Sequence, residues 1–224
     1  MRAPTPRRLV VFDFDGTLAD TWRDIAAALN GALAEAGLPC VEGPEVRFWI
    51  GDGVRPLLAR AVPELAADPA RFEALFGRFC ERYAECLLDT TETYPEIPGC
   101  LAALADDVLV VASNKPMRFL ERIIDGLGLK DHFRLVLGGD SLEVRKPDPI
   151  VIQEITLRVR EPVGETWIVG DSATDVHTGR AAGAHTIGCT WGLRGREELR
   201  SAGAEFLAER PSEVPRLIFG RRPG

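Results

Sequence analysis

An apolar run ends in two carboxylates at Leu9-Val10-Val11-Phe12-Asp13-Phe14-Asp15-Gly16-Thr17-Leu18. Runs of this length are typical of strands covered on both faces in a parallel sheet, and such sheets bind ligands at the carboxyl ends of their strands. Residues i and i+2 of an extended chain face the same side, so Asp13 and Asp15 can face one ligand. Taken alone, such a pair also occurs in turns and helix caps. The segment predicts a buried strand with acidic side chains at its end.

Two later segments share this organisation. Val108–Ala112 is followed by Ser113-Asn114-Lys115, and Thr166-Trp167-Ile168-Val169-Gly170 is followed by Asp171-Ser172-Ala173-Thr174-Asp175. If these strands are parallel neighbours of the first, their polar ends meet at one edge of the sheet. Carboxylates, a hydroxyl and an amide are therefore expected around one site.

A lysine is available to balance these negative charges. It lies in Arg145-Lys146-Pro147-Asp148-Pro149, between the second and third of the strands. Proline is favoured in the first turn of a helix, so Lys146 is predicted to lie just before a helix that begins at Pro147. We expect Lys146 to be the counter-charge of the site, although most lysines are solvated on protein surfaces.

The chain changes its periodicity after Asp15. Apolar residues are spaced for helices over 25–36, 54–62 and 72–87, with Asp20 or Thr21 as the cap of the first, and no strand pattern occurs in this interval. Helical and strand patterns then alternate from Gly99 onward, which is the signature of a parallel α/β core. Strands are expected at 108–112, 135–137, 166–170 and 185–189, and helices at 116–127, from 147 and at 173–182.

We therefore predict an α/β fold with two parts. A Rossmann-like parallel-sheet core is formed by residues 1–16 and 95–224, and a helical cap domain, residues 17–94, is inserted after the first strand. The joins near Gly16 and residues 94–99 would be its hinges.

Four segments in this order resemble the signatures of one family. They are DFDGTLAD at 13–20, SNK at 113–115, the lysine of RKPDP at 145–149 and GDSATD at 170–175. Together they resemble the phosphatases of the haloacid dehalogenase superfamily, over nearly the whole chain. Three further stretches are similar to the phosphoglycolate phosphatase group: WIGDG at 49–53, YPEIPG at 94–99 and GGDSLEVRKPDP at 138–149.

The resemblance implies a role for each matching residue. Asp13 attacks phosphorus to give an aspartyl-phosphate, and Asp15 protonates the leaving oxygen and later activates water. Ser113 and Asn114 donate hydrogen bonds to the phosphoryl group, and Lys146 supplies a fixed positive charge. Ser113 could instead cap a helix, in view of Pro116.

Mg²⁺ is the cofactor that this resemblance implies. Asp13 and Asp171 would provide carboxylate ligands and Asp15 its backbone carbonyl, because Mg²⁺ prefers few carboxylates plus water and oxygen ligands disfavour zinc. Asp175, one helical turn after Asp171, would orient Lys146 or a ligand water, or else stabilise the helix N-terminus.

The predicted cap would select the substrate. Gly51-Asp52-Gly53 resembles a specificity loop, and Arg47, Arg55 and Arg60 are cations able to bind a substrate carboxylate. Among these, Gly51 and Arg55 are the predicted substrate-binding residues, although each arginine taken singly is also typical of a protein surface. Lys115 is interpreted as a surface residue.

Composition excludes several other classes of protein. The 224 residues carry a formal net charge of −7, with a pI near 5.1, which argues against a nucleic-acid surface. No apolar run is long enough to cross a bilayer, and residues 1–8 lead into only a strand-length apolar segment, unlike a signal peptide. We predict a cytoplasmic protein, monomeric or homodimeric, without membrane partners. Its five cysteines lack disulfide or zinc spacing.

The sequence thus predicts a Mg²⁺-dependent phosphomonoesterase for a small anionic phosphate ester, with 2-phosphoglycolate as the best candidate. A sugar phosphate is the first alternative, and a catalytically silent binding or regulatory module is the alternative of another class. A phosphomutase and a dehalogenase are disfavoured, the first because no second acid/base site is evident in the cap, the second because Asp15 supplies an acid that halide displacement does not require.

Overall fold

A parallel sheet forms the centre of the molecule. The computed structural model describes residues 7–161 and 163–220. Six of the strands form one sheet in the order β5-β4-β1-β6-β7-β8, and every neighbouring pair in it is parallel. Its strands are β1 (Arg7–Phe12), β4 (Val108–Ala112), β5 (Leu135–Leu137), β6 (Val163–Gly170), β7 (His185–Cys189) and β8 (Phe206–Ala208). The predicted α/β class with a parallel sheet is confirmed.

Helices connect these strands and bury both faces of the sheet. Val10 and Phe12 of β1 belong to the apolar core on one face, and Leu9 and Val11 to a second core on the other. This alternation explains why residues 9–12 of β1 are all apolar. The connecting helices are α5 (Ile97–Ala103), α6 (Met117–Gly126), α7 (Ile150–Val159), α8 (Ala173–Ala181) and α9 (Arg196–Ala202), with a short 3₁₀ helix at Lys130–His132, and α10 (Glu213–Gly220) follows the last strand.

The helix that follows Lys146 begins later than predicted. α7 starts at Ile150, and Pro147 lies in the preceding turn rather than in the first helical turn. Asp148 donates its backbone N–H to Arg145 at 3.0 Å, and its carboxylate accepts from the N–H of Ile150 at 2.9 Å. These local hydrogen bonds favour a turn over 145–148. Lys146 is thus placed by a loop and not by a helix terminus.

A helical insertion separates β1 from the rest of the sheet. It contains α1 (Trp22–Glu35), α2 (Gly43–Val46), α3 (Val54–Ala61) and α4 (Pro69–Glu85), with 3₁₀ turns at Arg47–Trp49 and Pro63–Ala67. The apolar face predicted for α1 is buried, including Ile25, Leu29 and Leu33. α2 and the 3₁₀ turns were not predicted, because segments of three to five residues are too short to show a periodicity.

The two ends of the insertion are joined by a short antiparallel ribbon. β2 (Ala19–Asp20) pairs with β3 (Glu92–Thr93), although the sequence predicted no strand in this interval. Two residues cannot show the alternation that identifies a strand. Buried Asp24 of α1 reinforces the join, because it accepts hydrogen bonds from the backbone and hydroxyl groups of Thr90 and Thr91.

Two predictions from composition can be compared with the structure. The five cysteines are free thiols, as expected. Among the described helices, none is long and apolar enough to cross a membrane. Residues 1–6, most of the segment considered for a signal peptide, lie outside the described residues.

Candidate active site

Three carboxylates meet where β1 and β6 end. The backbone N–H of Asp13 donates to Val169 of β6 at 2.9 Å, which aligns the two strand ends. Carboxylate oxygens of Asp13, Asp171 and Asp175 lie within 4.8 Å of one another, and all three residues are buried. The predicted acidic cluster at this edge of the sheet is therefore present.

Lys146 lies within this cluster. Its Nζ donates to Oδ1 of Asp13 at 2.8 Å and to Oδ1 of Asp175 at 2.6 Å, and the residue is only 5% exposed. Burial alone would lower the pKa of Lys146, but the charges of Asp13 and Asp175 outweigh it and hold that pKa above its usual value. Lys146 is therefore a permanently charged partner for two acids, as the sequence indicated.

Asp175 has both of the roles predicted for it, since it contacts Lys146 and also caps the N-terminus of α8. Its Oδ1 accepts from Lys146, while its Oδ2 accepts from the hydroxyl of Ser172 at 2.6 Å and from the N–H of Ser172 at 3.2 Å. The second set completes a capping box at the start of α8. Asp175 therefore fixes Lys146 relative to β6 and α8.

The electrostatics of the cluster favour a cation. Burial raises the pKa of Asp13 to about 7, with Asp175 and Asp15 adding to the effect and Lys146 opposing it. Burial and the charges of Asp13 and Asp175 raise the pKa of Asp171 well above its usual value. The one lysine bonded to this cluster, Lys146, carries less charge than three ionised carboxylates require. An all-oxygen donor set of this kind fits a hard divalent cation such as Mg²⁺.

The backbone at Gly16 and Leu193 lies close to the carboxylate of Asp171. Oδ2 of Asp171 accepts from the N–H of Leu193 at 2.6 Å. Gly16 lies against Asp171 at a φ of 84°, and a Cβ at this position would overlap the carboxylate. The glycine of the DFDGTL segment is thus required both by the turn and by the space that Asp171 occupies.

Asp15 is held by a different set of partners. Its Oδ1 accepts from the hydroxyl of Thr21 at 2.6 Å and lies 3.0 Å from Nζ of Lys115. Thr21 is the N-terminal boundary residue of α1, as predicted, but its hydroxyl serves Asp15 and makes no capping hydrogen bond. Asp13 and Asp15 therefore face one site with separate cationic partners, which suits them to separate chemical roles.

Lys115 is buried, which corrects the prediction that it lies on the surface. It is 6% exposed, and its Nζ also donates to the hydroxyl of Tyr83 in α4 at 2.8 Å. The prediction failed because lysines are seldom buried unless they are paired, and both partners are distant in sequence. Its place at the end of a strand, directly after Ser113 and Asn114, was the available signal.

Ser113 and Asn114 follow β4, as expected, but with contacts that the sequence did not show. The Ser113 hydroxyl accepts from the N–H of Lys115 at 3.3 Å, and α6 begins only at Met117, so Ser113 does not cap that helix. Both amide N–H groups of Asn114 are engaged, with the carbonyls of Gly51 and Lys146, each at 3.0 Å. Asn114 therefore positions these two segments, and its amide is not free to donate to a phosphoryl group.

The loop at 50–53 lies against the core through further contacts. Arg194 donates to the carbonyl of Ile50 at 2.8 Å, and the hydroxyl of Thr174 donates to the carboxylate of Asp52 at 3.2 Å. Gly53 adopts a φ of 95°, and a Cβ there would lie 3.2 Å from the carbonyl oxygen of Asn114. Sequence reasoning missed Arg194, which no motif marked, and gave Thr174 no role although it lies within the GDSATD segment.

A pocket opens beside Asp13 and Asp15, lined by both parts of the chain. Of the two residues of the insertion predicted to bind substrate, Gly51 lines this pocket and Arg55 does not. The Arg55 guanidinium forms a bidentate ion pair with Glu73 at 2.5 and 2.9 Å and lies over the ring of Phe76. The structure therefore corrects the placement of Arg55. Val54 and Leu57 are the residues of α3 that line the pocket instead.

The other two candidate arginines, Arg47 and Arg60, also have partners of their own. Arg60 donates to the carbonyl of Trp49 at 2.8 Å and pairs with Asp52. Arg47 lies over the ring of Trp22, 5.7 Å from its centroid. Neither arginine lines the described pocket.

Comparison with known proteins identifies the same family as the sequence motifs. The family model of the haloacid dehalogenase-like hydrolases matches residues 10–189. The phosphoglycolate phosphatases of Aquifex aeolicus and Chromobacterium violaceum are each 36% identical to the chain, and each alignment covers 94% of the chain and 96% of the relative. The chain belongs to the haloacid dehalogenase-like hydrolase family. It is a phosphatase, and the resemblance to the phosphoglycolate phosphatase group is confirmed.

Solved structures show the same fold. A structure described as a predicted phosphoglycolate phosphatase from Haemophilus somnus superposes with a TM-score of 0.88 at 27% identity, covering 96% of this chain and all of that one. A predicted phosphatase from Clostridium acetobutylicum superposes with a TM-score of 0.83 at 22% identity, over 97% of this chain.

Proposed function

We propose that the protein is a Mg²⁺-dependent phosphomonoesterase that hydrolyses 2-phosphoglycolate through an aspartyl-phosphate on Asp13. The observation that carries the chemistry is the pairing of Asp13 with Lys146 beside Asp171, with Asp15 held two residues away by different partners. The names of the relatives support the substrate.

The first half of the reaction transfers the phosphoryl group to the protein. A carboxylate oxygen of Asp13 attacks phosphorus, a new P–O bond forms, and the bond from phosphorus to the ester oxygen breaks. Asp15, protonated in this step, gives its proton to the departing oxygen, and the organic product leaves as an alcohol. Lys146, 2.8 Å from Asp13, stabilises negative charge as it spreads over the phosphoryl oxygens.

The second half releases phosphate. Asp15, now ionised, accepts a proton from a water molecule as that water attacks phosphorus. The bond between phosphorus and Asp13 breaks, and inorganic phosphate leaves. Thr21 and Lys115 hold the Asp15 carboxylate in place for both transfers. Ser113, which lines the pocket next to Asp13, is the proposed hydroxyl donor to the phosphoryl group.

The acidic cluster fits the metal that this chemistry uses. Asp13 and Asp171, with the backbone carbonyl of Asp15, are the proposed Mg²⁺ ligands, and the bound ion would neutralise the charge of the phosphate ester. Asp175 is committed to Lys146 and Ser172 and is proposed to orient rather than to ligate.

The helical insertion is proposed to act as a cap domain. We assign residues 17–94 to this domain and residues 1–16 and 95–224 to the catalytic core. The contacts of residues 50–53 with Asn114, Thr174 and Arg194 support the assignment, since they hold the insertion over the strand ends. Excluding water in this way strengthens the charge interactions of the site.

A survey of phosphate esters tests the proposed function. We expect hydrolysis that requires Mg²⁺, with the highest kcat/KM for 2-phosphoglycolate among a panel that includes sugar phosphates of similar size. A higher value for a sugar phosphate would keep the phosphatase chemistry and overturn the substrate. No Mg²⁺-dependent hydrolysis of any ester, aryl phosphates included, would overturn the proposed function in favour of a silent binding module.

A further inference from the structure

Holding Asp15 in place uses only one of the contacts of Lys115, and the burial of its charge in the pocket wall requires a further explanation. Its ammonium group lies between Oδ1 of Asp15 at 3.0 Å and the hydroxyl of Tyr83 at 2.8 Å, and 4.7 Å from the centroid of the Tyr83 ring. Lysine is rarely buried because removing its charge from water is costly. A lysine in the wall of a substrate pocket, with a tyrosine hydroxyl beside it, is suited to bind an anion.

Lys115 is also the cation that the pocket offers to a substrate. Of the described residues that line the pocket, it alone carries a positive charge. Most of the remaining wall is apolar and consists of Ile25, Ile50, Val54, Leu57, Phe79, Pro116 and Phe119. A carboxylate that enters such a wall must find a charged or hydrogen-bonding partner, because burying it unpaired is costly.

Lys115 and Tyr83 each retain a hydrogen-bond donor for such a ligand. An ammonium group has three N–H donors, and the contacts with Asp15 and Tyr83 account for two of them. The Tyr83 hydroxyl accepts from Lys115, so its own proton can be donated. Burial, with the charge of Asp15, raises the pKa of Tyr83 well above its usual value, which keeps that proton in place.

We propose that Lys115, together with the Tyr83 hydroxyl, binds the carboxylate of the substrate and thereby selects phosphate esters that carry a carboxylate next to the ester carbon. The proposal rests on the proposed function and names the residues that set its specificity. Asp15 serves the ester oxygen, and Nζ of Lys115 is 3.0 Å from Asp15, so an anion bound there lies close to that oxygen. A one-carbon spacer between ester oxygen and carboxylate meets this requirement. A polyhydroxylated chain would place hydroxyl groups against apolar side chains.

The test compares 2-phosphoglycolate with its neutral amide, 2-phosphoglycolamide, which has the same size and a similar leaving oxygen. Wild-type protein should favour the acid. Lys115→Met should lower the ratio of the two kcat/KM values by about 10- to 100-fold, the effect of losing a hydrogen bond to a charged group. Lys115→Arg should keep most of the preference, and Tyr83→Phe should lose a smaller part of it.

A binding measurement separates recognition from any effect on Asp15. In an Asp13→Asn background, calorimetry should show weaker binding of 2-phosphoglycolate on adding Lys115→Met and little change for the amide. Arg55→Ala is the matched control, since its guanidinium is paired with Glu73 outside the pocket lining, and it should leave the ratio unchanged. If Lys115→Met does not fold, as thermal unfolding would show, Lys115→Arg and Tyr83→Phe decide the question.

Three results would overturn the inference while leaving the phosphatase chemistry intact. These are wild-type protein with no preference for the acid, an equal loss of both activities in Lys115→Met, and a preference that depends on Arg55 instead. An equal loss would mean that Lys115 acts only through Asp15. Wild-type protein that hydrolyses no phosphate ester would instead overturn the proposed function itself, and the inference with it.

Discussion

The Nζ of Lys146 lies 2.8 Å from Oδ1 of Asp13, although the two residues are 133 positions apart in the chain. Both side chains are buried, and the same ammonium group reaches Asp175 at 2.6 Å. One lysine therefore neutralises the proposed nucleophile and also fixes the start of α8. Its removal should affect both stability and turnover.

We predict that Lys146→Met abolishes turnover and lowers the free energy of unfolding by about 3–5 kcal/mol, because buried carboxylates lose their cation. Urea unfolding and steady-state hydrolysis would measure the two effects. Lys130→Met is the matched control, since Lys130 is exposed and 3.6 Å from Asp125, and it should change neither quantity measurably. Wild-type turnover in Lys146→Met would remove Lys146 from the mechanism.

Mg²⁺ should stabilise the wild-type protein, because the proposed site would let it neutralise Asp13 and Asp171 in the folded state only. Thermal unfolding with Mg²⁺ and with chelator would measure the rise in Tm. Asp171→Ala should lose most of that rise, whereas Asp140→Ala, whose carboxylate accepts from the N–H of Met117, should keep it. An equal rise in wild type and Asp171→Ala would exclude Asp171 as a ligand.

Without metal, stability should fall as the pH rises towards 7. The pKa of Asp13 is about 7 in the folded protein and 3.8 ordinarily, so the folded state holds the proton more tightly. A carboxyl with a raised pKa stabilises the fold below its ordinary pKa, and that contribution is lost as the pH rises through the folded value. Unfolding in chelator from pH 4 to 8 should show a steeper decline for wild type than for Asp13→Asn. Parallel curves would contradict the raised pKa.

Asp15→Asn should slow hydrolysis of 2-phosphoglycolate by about 10²–10⁴-fold, the usual contribution of a positioned acid or base. An aryl phosphate with a leaving group of low pKa needs no proton from Asp15. With such an ester, the rate at which the Asp15→Asn variant is phosphorylated in a single turnover should be restored. Release of phosphate from the variant should stay slow. If the better leaving group gives no rescue, Asp15 is not the acid.

Much of the core could be predicted because its signals are local. β1 and the acids after it are consecutive in sequence, and the predicted bounds of β5 and β7 match the structure. Asp13 and Asp171 converge because β1 and β6 are parallel neighbours that end at one edge of the sheet. The start of α7 was misplaced because Asp148 forms a turn whose hydrogen bonds compete with the helix.

The missed contacts depend on how the insertion packs on the core. Lys115 looked like a surface residue because Tyr83 lies 32 positions earlier, on a helix whose orientation over the site no sequence pattern fixes. Arg55 looked suited to a substrate, yet Glu73, 18 positions later, takes its guanidinium. The acidic cluster was thus predictable, whereas the contacts between the insertion and the core required the structure.

The most direct test of the mechanism is to find the phosphoryl group on the protein. Asp15→Asn would be mixed with an activated aryl phosphate and Mg²⁺, quenched in acid within one turnover and mapped by mass spectrometry. The variant should accumulate phosphate on Asp13, because the base that would hydrolyse the intermediate is missing. Release of the aryl alcohol without protein-bound phosphate, or phosphate on another residue, would contradict the mechanism.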